Sequence, residues 1–190
     1  MIRHAELPYE PLPYVERLAE RDVGDISLAV IHCTELPDLA TAREYGEVEH
    51  YAASGTGNSG HFYIDRDGSM QQWVPLERIA HHVRDHNADS IGIELVNRGR
   101  YPDWWDSTAQ DRIEPYPATQ VEALVFLLRW LRHTLPSLKA MAGHEHLDRA
   151  RVPATDDPTL TVRRKRDPGP GFPWDQVLEG SGLTLRIQKP

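Results

Sequence analysis

Residues 163–171 bring together side chains that can do chemistry. The segment consists of four cations, one carboxylate and then alternating proline and glycine (Arg-Arg-Lys-Arg-Asp-Pro-Gly-Pro-Gly). Proline and glycine interrupt helices and central strands, so the second half of the segment predicts a stiff loop. Asp167 on such a loop is a candidate metal ligand, and Lys165, two residues before it, is a cation that can stabilise developing negative charge. We therefore expect both side chains to act in one cleft.

Two histidines complete a possible ligand set with Asp167. His32 lies at the end of a strand-like apolar run, and His144 follows a glycine after a second short strand-like segment. Two imidazoles and one carboxylate suit a catalytic zinc ion, which keeps its fourth position open for water. Alternatively, His32 is a core histidine bonded to a carbonyl, and His146 is either a second ligand on the same strand face as His144 or a bystander. Sequence spacing alone does not distinguish the zinc site from these alternatives, because the residues lie far apart in the chain.

A glutamate inside a strand-like segment is the candidate base. Glu94 lies between an isoleucine and a leucine in the run 90–97 (Ser-Ile-Gly-Ile-Glu-Leu-Val-Asn). A carboxyl group in such an apolar setting is costly unless it is paired or has a chemical role. Zinc lowers the pKa of bound water to about 7, and a buried glutamate can accept the proton while a lysine stabilises the oxyanion. A salt bridge to an arginine and exposure on an edge strand are the alternatives for Glu94.

Hydrophobic patterning predicts the strands that must carry these side chains. Residues 26–33 form a nearly continuous apolar run, which is typical of a central strand covered on both faces. Alternation along this run places His32 and Cys33 on opposite faces, and we interpret Cys33 as a small buried hydrophobe. Two strand-like runs within residues 60–75 flank an Asp-Gly pair, which predicts a β-hairpin.

The helices are predicted from capping signals and apolar spacing. The longest begins with a capping box at Thr119 and ends at Pro136. Apolar residues along it are spaced to form one buried stripe, and we interpret this helix as scaffold. The stripe consists of Val121, Leu124, Val125, Leu128, Leu131 and Leu135. Shorter helices are predicted around residues 15–21 and over residues 47–54.

Composition excludes several classes of function. With 190 residues, 39% of them hydrophobic, the chain can bury one core, and we predict an N-terminal arm (1–24) followed by one domain (25–190). A formal charge of −8 and a pI near 5.6 argue against nucleic-acid binding. The single cysteine excludes an internal disulfide framework and fits a reducing compartment. Neither a signal peptide nor a run long enough to cross a membrane is found, so we predict a cytoplasmic protein.

Seven strings of residues occur in an order that resembles a known family. The strings are 30–32 (Val-Ile-His), 59–68 (Ser-Gly-His-Phe-Tyr-Ile-Asp-Arg-Asp-Gly), 73–75 (Trp-Val-Pro), 80–82 (Ala-His-His), 90–95 (Ser-Ile-Gly-Ile-Glu-Leu), 143–144 (Gly-His) and 165–170 (Lys-Arg-Asp-Pro-Gly-Pro). They resemble the zinc-dependent N-acetylmuramoyl-L-alanine amidases of the cytoplasmic peptidoglycan-recycling type, relatives of peptidoglycan recognition proteins and phage amidase lysozymes. The resemblance implies a single α/β domain with a mixed central β-sheet flanked by helices, and a zinc cleft along one edge of the sheet.

The resemblance also implies a role for each candidate site residue. The implied cofactor is Zn²⁺, with His32, His144 and Asp167 as its ligands. Glu94 falls on the catalytic glutamate of the family, and Lys165 falls on its catalytic lysine. The predicted domain over residues 25–190 is accordingly a zinc amidase domain.

Residues outside this set are candidates for substrate contact. His82 falls where the family keeps a cleft histidine, and we expect it to contact substrate. Trp104 and Trp105 are expected to contact glycan or peptide, because sugar rings pack on aromatic faces; alternatively they fill a core gap or an interface. His146 falls where the family needs no ligand and is interpreted as a bystander or a supporting group. Residues 149–162 are interpreted as an insertion before the basic run.

The implied reaction is hydrolysis of the amide bond between N-acetylmuramic acid and L-alanine in peptidoglycan fragments, as in muropeptide recycling. The implied partner is a muropeptide or peptidoglycan fragment, with no nucleic acid and no membrane. Two alternatives stay open: a non-catalytic muropeptide-binding module, and a wall-degrading amidase that acts on intact peptidoglycan. The complete ligand set favours an enzyme over a binding module.

Overall fold

The computed structural model describes residues 7–112 and 114–187, and a six-stranded sheet forms the centre of that part of the chain. The described strands are β1 (Leu28–Cys33), β2 (Phe62–Ile64), β3 (Met70–Gln72), β4 (Ser90–Leu95), β5 (Ala140–Gly143), β6 (Arg151–Pro153), β7 (Thr161–Arg163) and β8 (Thr184–Leu185). Of these, β6 and β7 form a separate two-stranded sheet. The helices are α1 (Leu39–Gly46), α2 (Ala118–Thr134), α3 (His144–Leu147) and α4 (Trp174–Ser181). None of the described helices combines the length and the apolar character needed to cross a bilayer.

The strand order of the sheet is β3-β2-β4-β1-β5-β8. All neighbouring pairs are parallel except β2 with β3, which form the predicted hairpin, so the predicted mixed sheet is confirmed. In the β1–β4 register His32 lies opposite Glu94, and in the β1–β5 register Ile31 lies opposite Gly143, the residue before His144. Parallel pairing thus brings three candidate site residues to the carboxyl ends of central strands, away from the edge strands.

Both faces of β1 are covered, and all six of its residues are buried, as predicted for a central strand. On one face α2 and α4 pack together over the larger apolar core. The buried apolar side chains of α2 are Val121, Ala123, Leu124, Leu127, Leu128 and Leu131. Val125 of the predicted stripe is only partly buried, and Leu127 lies in the core instead.

The start of α2 differs from the prediction. The helix begins at Ala118 after Pro117, and no side chain caps it. Thr119 lies inside the first turn, where its hydroxyl donates a hydrogen bond to the backbone carbonyl of Arg66 at 2.8 Å. The predicted capping box is therefore wrong. Pro117 fixes its own φ just before the helix, and Thr119 ties α2 to the loop of the β2–β3 hairpin.

The predicted helix over residues 47–54 is also wrong. The helix in this region is α1, whose first turn is capped by Asp38: its carboxylate accepts a hydrogen bond from the backbone N–H of Thr41 at 2.7 Å. Residues 47–54 form a turn that leads into a backbone bridge between Tyr51 and Thr56. Asp38 is a helix-start signal that the prediction overlooked.

The second face of the sheet is covered by α1, by the N-terminal segment and by the candidate site. Within residues 7–24, Leu12 and Leu18 are buried in a second core cluster. The short helix predicted there is a single 3₁₀ turn, Val15–Arg17. Residues 1–6 of the predicted arm lie outside the described residues, and the boundary between arm and domain stays a prediction.

The segment interpreted as an insertion, residues 149–162, contains most of the β6–β7 hairpin. It is tied to the loop that carries Trp104 and Trp105 (the aromatic loop), because the carboxylate of Asp156 accepts hydrogen bonds from the backbone N–H and the hydroxyl of Ser107 at 2.7 and 2.6 Å. The backbone N–H of Thr155 also donates to the carbonyl of Trp105 at 2.9 Å. The hairpin therefore supports the loop that carries the two adjacent tryptophans.

Candidate metal centre

Three candidate ligands, His32, His144 and Asp167, lie together at the carboxyl ends of β1 and β5. The Nδ1 atoms of His32 and His144 are 2.8 and 3.2 Å from Oδ2 of Asp167. One ligand atom from each residue lies within 4.8 Å of the others, and all three residues are buried. The fold thus brings His32 into one cluster of metal-binding side chains with two residues that lie more than a hundred positions later in the sequence.

His146 does not join this cluster. His144 and His146 both lie on the single turn α3, so the alternative in which they are two ligands on one strand face is wrong. Nδ1 of His146 accepts a hydrogen bond from the backbone N–H of Gly143 at 3.0 Å, and its ring packs against Trp174 with centroids 4.8 Å apart. The interpretation of His146 as a bystander to the ligand set fits this position.

A chain of hydrogen bonds behind His32 fixes the proton positions on its ring. The hydroxyl of Ser90 donates its proton to the carbonyl of His86. Oγ of Ser90 is therefore free to accept a hydrogen bond from Nε2 of His82 at 3.2 Å. Burial lowers the pKa of His82 well below its ordinary value, so the ring is neutral and its Nδ1 accepts from Nε2 of His32 at 3.0 Å. His32 therefore carries its proton on Nε2, and its Nδ1 has a free lone pair.

That lone pair faces the carboxylate of Asp167. Burial lowers the pKa of His32 to about 4, so its ring is neutral near pH 7, and two acceptors then lie 2.8 Å apart. Burial raises the pKa of Asp167, but His144 and Lys165 outweigh it and hold that pKa well below its usual range. Among the described residues, Oδ1 of Asp167 has no hydrogen-bond partner although it is buried. A metal cation would satisfy all of these atoms, so the cluster fits zinc.

Glu94 lies beside the cluster, with Oε1 4.0 Å from Nδ1 of His32. Because β4 is flanked by β2 and β1, the alternative of an exposed edge-strand glutamate is wrong. Burial and the charge of Asp167 raise the pKa of Glu94 to about 8, against the opposing effect of Lys165. A bound dication would lower this pKa. The geometry leaves Glu94 as a carboxyl group able to exchange a proton next to the candidate ligands.

Glycine is required where the chain passes Glu94. A Cβ on Gly60 would lie 2.8 Å from Cγ of Glu94, and a Cβ on Gly92 would lie 2.6 Å from Cγ of His82. Contacts that short are repulsive, so both positions must lack a side chain. These glycines leave room for the candidate base and for the histidine behind His32.

A cavity of about 910 Å³ contains the candidate ligands in its wall, which is large enough for a small-molecule substrate. Glu94 and Lys165 line the same cavity, as do both tryptophans of the aromatic loop. Trp104 donates from Nε1 to the carbonyl of Glu35 at 3.2 Å and is half-buried, whereas Trp105 is 45% exposed. The structure therefore brings every predicted site residue to one cavity.

Sequence patterns did not identify some of the residues that line the cavity. Tyr45 and Tyr51 also line the cavity and are exposed, and Glu35 and Arg100 form a buried ion pair in its wall. Exposed aromatics and isolated charges are common in sequences, so no local signal marked them. Only the folded arrangement shows where they lie.

The sequence matches a family described as N-acetylmuramoyl-L-alanine amidase over residues 22–170. N-acetylmuramoyl-L-alanine amidase AmiD of Escherichia coli (strain K12) is 34% identical over 116 residues, which is 57% of this chain and 36% of that protein. The 1,6-anhydro-N-acetylmuramyl-L-alanine amidase AmpD of Enterobacter cloacae is 29% identical over 141 residues, 70% of this chain and 59% of the relative. The chain thus spans between about a third and three fifths of the length of these relatives.

Solved structures share the fold. N-acetylmuramoyl-L-alanine amidase LysC from Clostridium intestinale URNW has a TM-score of 0.66 at 17% identity, over 94% of this chain and 99% of that one. AmiD from E. coli, solved with anhydro-N-acetylmuramic acid-L-Ala-D-gamma-Glu-L-Lys, has a TM-score of 0.63 at 22% identity, over 97% and 62%. Drosophila PGRP-LB has a TM-score of 0.58 at 20% identity, over 95% and 91%. At these identities the likeness establishes the fold alone.

Proposed function

The chain belongs to the N-acetylmuramoyl-L-alanine amidase family, and from this premise we propose that it hydrolyses the amide bond between N-acetylmuramic acid and L-alanine in peptidoglycan fragments. The observation that carries the proposal is the buried cluster of His32, His144 and Asp167, with Glu94 beside it in a substrate-sized cavity. Two of the relatives are named as amidases of this bond, which supports the same substrate class.

Zn²⁺ would be held by His32, His144 and Asp167, since two neutral imidazoles and one carboxylate are a typical ligand set of catalytic zinc. When bound there, zinc acidifies water and polarises a carbonyl group. Side chains of the protein must carry out the remaining steps. These steps require a proton acceptor and a cation near the scissile bond.

Glu94 is the proposed proton acceptor. Its carboxylate takes a proton from the water that attacks the scissile carbonyl carbon, and then gives that proton to the amide nitrogen as the carbon–nitrogen bond breaks. Lys165 is proposed to stabilise the negative charge that develops on the carbonyl oxygen. The products are the free carboxylate of N-acetylmuramic acid and a stem peptide with a free L-alanine amine.

The rival class is a protein that binds muropeptides without cleaving them. A binding module needs neither a complete ligand set nor a carboxyl group placed beside it. Here Glu94 lies 4.0 Å from a candidate ligand, in a space that Gly60 leaves open for it. The geometry therefore favours catalysis over binding alone.

Trp105 is proposed to bind substrate by presenting an exposed ring to the cavity. Trp105→Ala is expected to raise KM about fivefold with little change in kcat, because an aromatic contact contributes about 1 kcal/mol to binding. Trp130→Ala, which removes an exposed tryptophan of α2 outside the cavity lining, is the matched control and should leave KM unchanged. Equal KM values for Trp105→Ala and wild type would remove Trp105 from the substrate site. Trp104 stays a weaker candidate, since it is bonded to Glu35.

His82 lines the cavity, as expected of a substrate contact, and its ring nitrogens face Nε2 of His32 and Oγ of Ser90, so we propose that it also orients His32. Loss of a residue that orients a metal ligand typically weakens metal binding about 10- to 100-fold. His82→Ala is accordingly expected to weaken zinc binding by that factor, measured by competition with a chelator, while exposed His133→Ala should not. Wild-type zinc affinity combined with a raised KM would return His82 to the substrate-contact role.

A small muropeptide is the proposed substrate, and the cytoplasmic location predicted from the sequence stays a prediction. The proposal is tested with chelator-stripped protein incubated with either anhydro-muropeptides or intact sacculi, with and without Zn²⁺, followed by mass spectrometry. We expect zinc-dependent release of free stem peptide from the muropeptides. Cleavage of sacculi alone would support the wall-degrading alternative, and cleavage of neither by the zinc-loaded protein would contradict the proposed function.

A further inference from the structure

Glu35 and Arg100 form a buried ion pair beside the candidate metal centre. Nε of Arg100 lies 2.6 Å from Oε1 of Glu35, and Nη2 lies 2.9 Å from Oε2, so the pair is bidentate. Their side chains are 10% and 3% exposed. Removing two charges from water is expensive, and a buried ion pair is weak grounds for stability by itself. A role in positioning particular segments of the chain would explain the pair better than a contribution to stability.

Arg100 also binds the segment that leads to Asp167. Its Nη1 donates to the carbonyl of Arg163 at 2.9 Å, and its Nη2 reaches the carbonyl of Arg164 at 3.4 Å. These carbonyls immediately precede Lys165. One planar guanidinium thus connects the carboxylate of Glu35 to the backbone that carries both the proposed catalytic lysine and a candidate metal ligand.

Glu35 lies three residues after His32, at the start of the loop that follows β1. Its φ is +49°, a left-handed conformation that is unfavourable for a residue with a side chain, so contacts must hold it in place. A Cβ on Gly99 would lie 2.9 Å from Cγ of Glu35, so the chain passes the carboxylate closely there. The ion pair thereby joins the segment after His32 to the segment before Asp167.

The basic run extends this connection to the third ligand. Nη2 of Arg163 donates to the carbonyls of Glu145 and Asp148 at 2.6 and 3.0 Å, and the guanidinium of Arg164 pairs with the carboxylate of Asp148. Glu145 directly follows His144 on α3. The arginines next to Lys165 therefore bind the turn that carries His144. Within the described part of the chain, the side chains that link all three ligand-bearing segments form no hydrogen bond or ion pair with a ligand side chain.

We propose that Glu35 and Arg100 are positioning residues that hold Asp167 and Lys165 against the carboxyl end of β1 and thereby set the affinity for zinc. The inference rests on the proposed function, because it takes His32, His144 and Asp167 as zinc ligands. It assigns the buried pair a role that is separate from binding substrate or exchanging protons. Zinc affinity is the readout, since a purely structural pair would leave it unchanged in a folded variant.

The test compares Arg100→Met with Arg66→Met. Arg66 forms a bidentate pair with Glu114, at 2.6 and 3.0 Å, that is partly exposed and lies outside the lining of the cavity, which makes it the control for loss of an arginine–glutamate pair away from the site. Zinc affinity is measured by chelator competition, and folding by circular dichroism and thermal melting. We expect Arg100→Met to weaken zinc binding about 10- to 100-fold, the effect typical for groups that support a metal ligand, and Arg66→Met to stay within about twofold of wild type.

The double variant Glu35→Met/Arg100→Met covers the case in which Arg100→Met does not fold. It leaves no unpaired buried charge, and apolar replacement of a whole buried pair is often tolerated. Wild-type zinc affinity in either folded variant would overturn the inference. A wild-type protein that binds no zinc, or that binds zinc equally well after His32→Ala, would instead contradict the proposed function.

Discussion

Glu94→Gln is expected to lower kcat by about 10²- to 10⁴-fold, the usual contribution of general acid–base catalysis, while zinc stays bound. Glutamine has nearly the same shape as glutamate, so it fits the space left by Gly60, but its amide cannot accept the proton of the attacking water. The measurement is kcat on a muropeptide together with bound zinc by elemental analysis. Retention of zinc separates loss of the base from loss of the metal.

Glu145→Gln is the matched control for charge. Burial and then the charge of Asp167 raise the pKa of Glu145, as they do for Glu94, yet the carboxyl of Glu145 lies outside the cavity lining. This variant removes one negative charge near the metal centre and leaves the proposed base intact, so kcat is expected to change little. Full activity in Glu94→Gln would show that another group accepts the proton.

Asp167→Asn is expected to reduce zinc affinity by more than the 10- to 100-fold that loss of a supporting group causes, and to abolish cleavage at low zinc. The change replaces a buried carboxylate that approaches Nδ1 of both His32 and His144 with a neutral amide. The variant is expected to fold, because an amide can still bond to imidazole nitrogens. Chelator competition measures the affinity.

Asp156→Asn is the control for this substitution. Asp156 is an exposed aspartate that bonds to Ser107 at a distance from the ligand cluster. Its zinc affinity is expected to match wild type. If Asp167→Asn and Asp156→Asn bound zinc equally tightly, Asp167 would not be a ligand, and the metal centre would have to be sought elsewhere.

Much of the site could be predicted because strand patterns carry positional information. The continuous apolar run of β1 predicted a central strand, and alternation along it placed His32 on one face. The apolar neighbours of Glu94 identified it as the candidate base. That these two residues lie opposite each other follows from the parallel register of β1 and β4, which no local pattern encodes. The resemblance to a known family supplied that long-range information.

The failures have local causes. Residues 47–54 have the composition of a helix, but the Asp38 cap places α1 earlier in the chain. The alternative of two ligands on one strand face arose because the residues before His144 are strand-like, although β5 ends at Gly143 and a helical turn follows. Side chains two positions apart lie on the same face of a strand, whereas on a helix they point in different directions.

The roles of the arginines in the basic run could not be predicted. Position two residues before Asp167, and later the resemblance, singled out Lys165, but no local signal assigned particular partners to the three arginines around it. In the fold, Arg163 and Arg164 bind α3, and Arg100 binds the carbonyls of the same two residues. These contacts depend on segments that lie tens of residues apart, so only the tertiary structure reveals them.

The most direct test of the central claim is the mass of the products formed from a muropeptide in ¹⁸O-labelled water by zinc-loaded protein. Hydrolysis at the proposed bond predicts one ¹⁸O atom in the carboxylate of the released N-acetylmuramic acid fragment, and an unlabelled stem peptide with a free L-alanine amine. Label in the peptide, cleavage within the glycan, or unchanged substrate would contradict the assignment of this chain as an amidase of that bond.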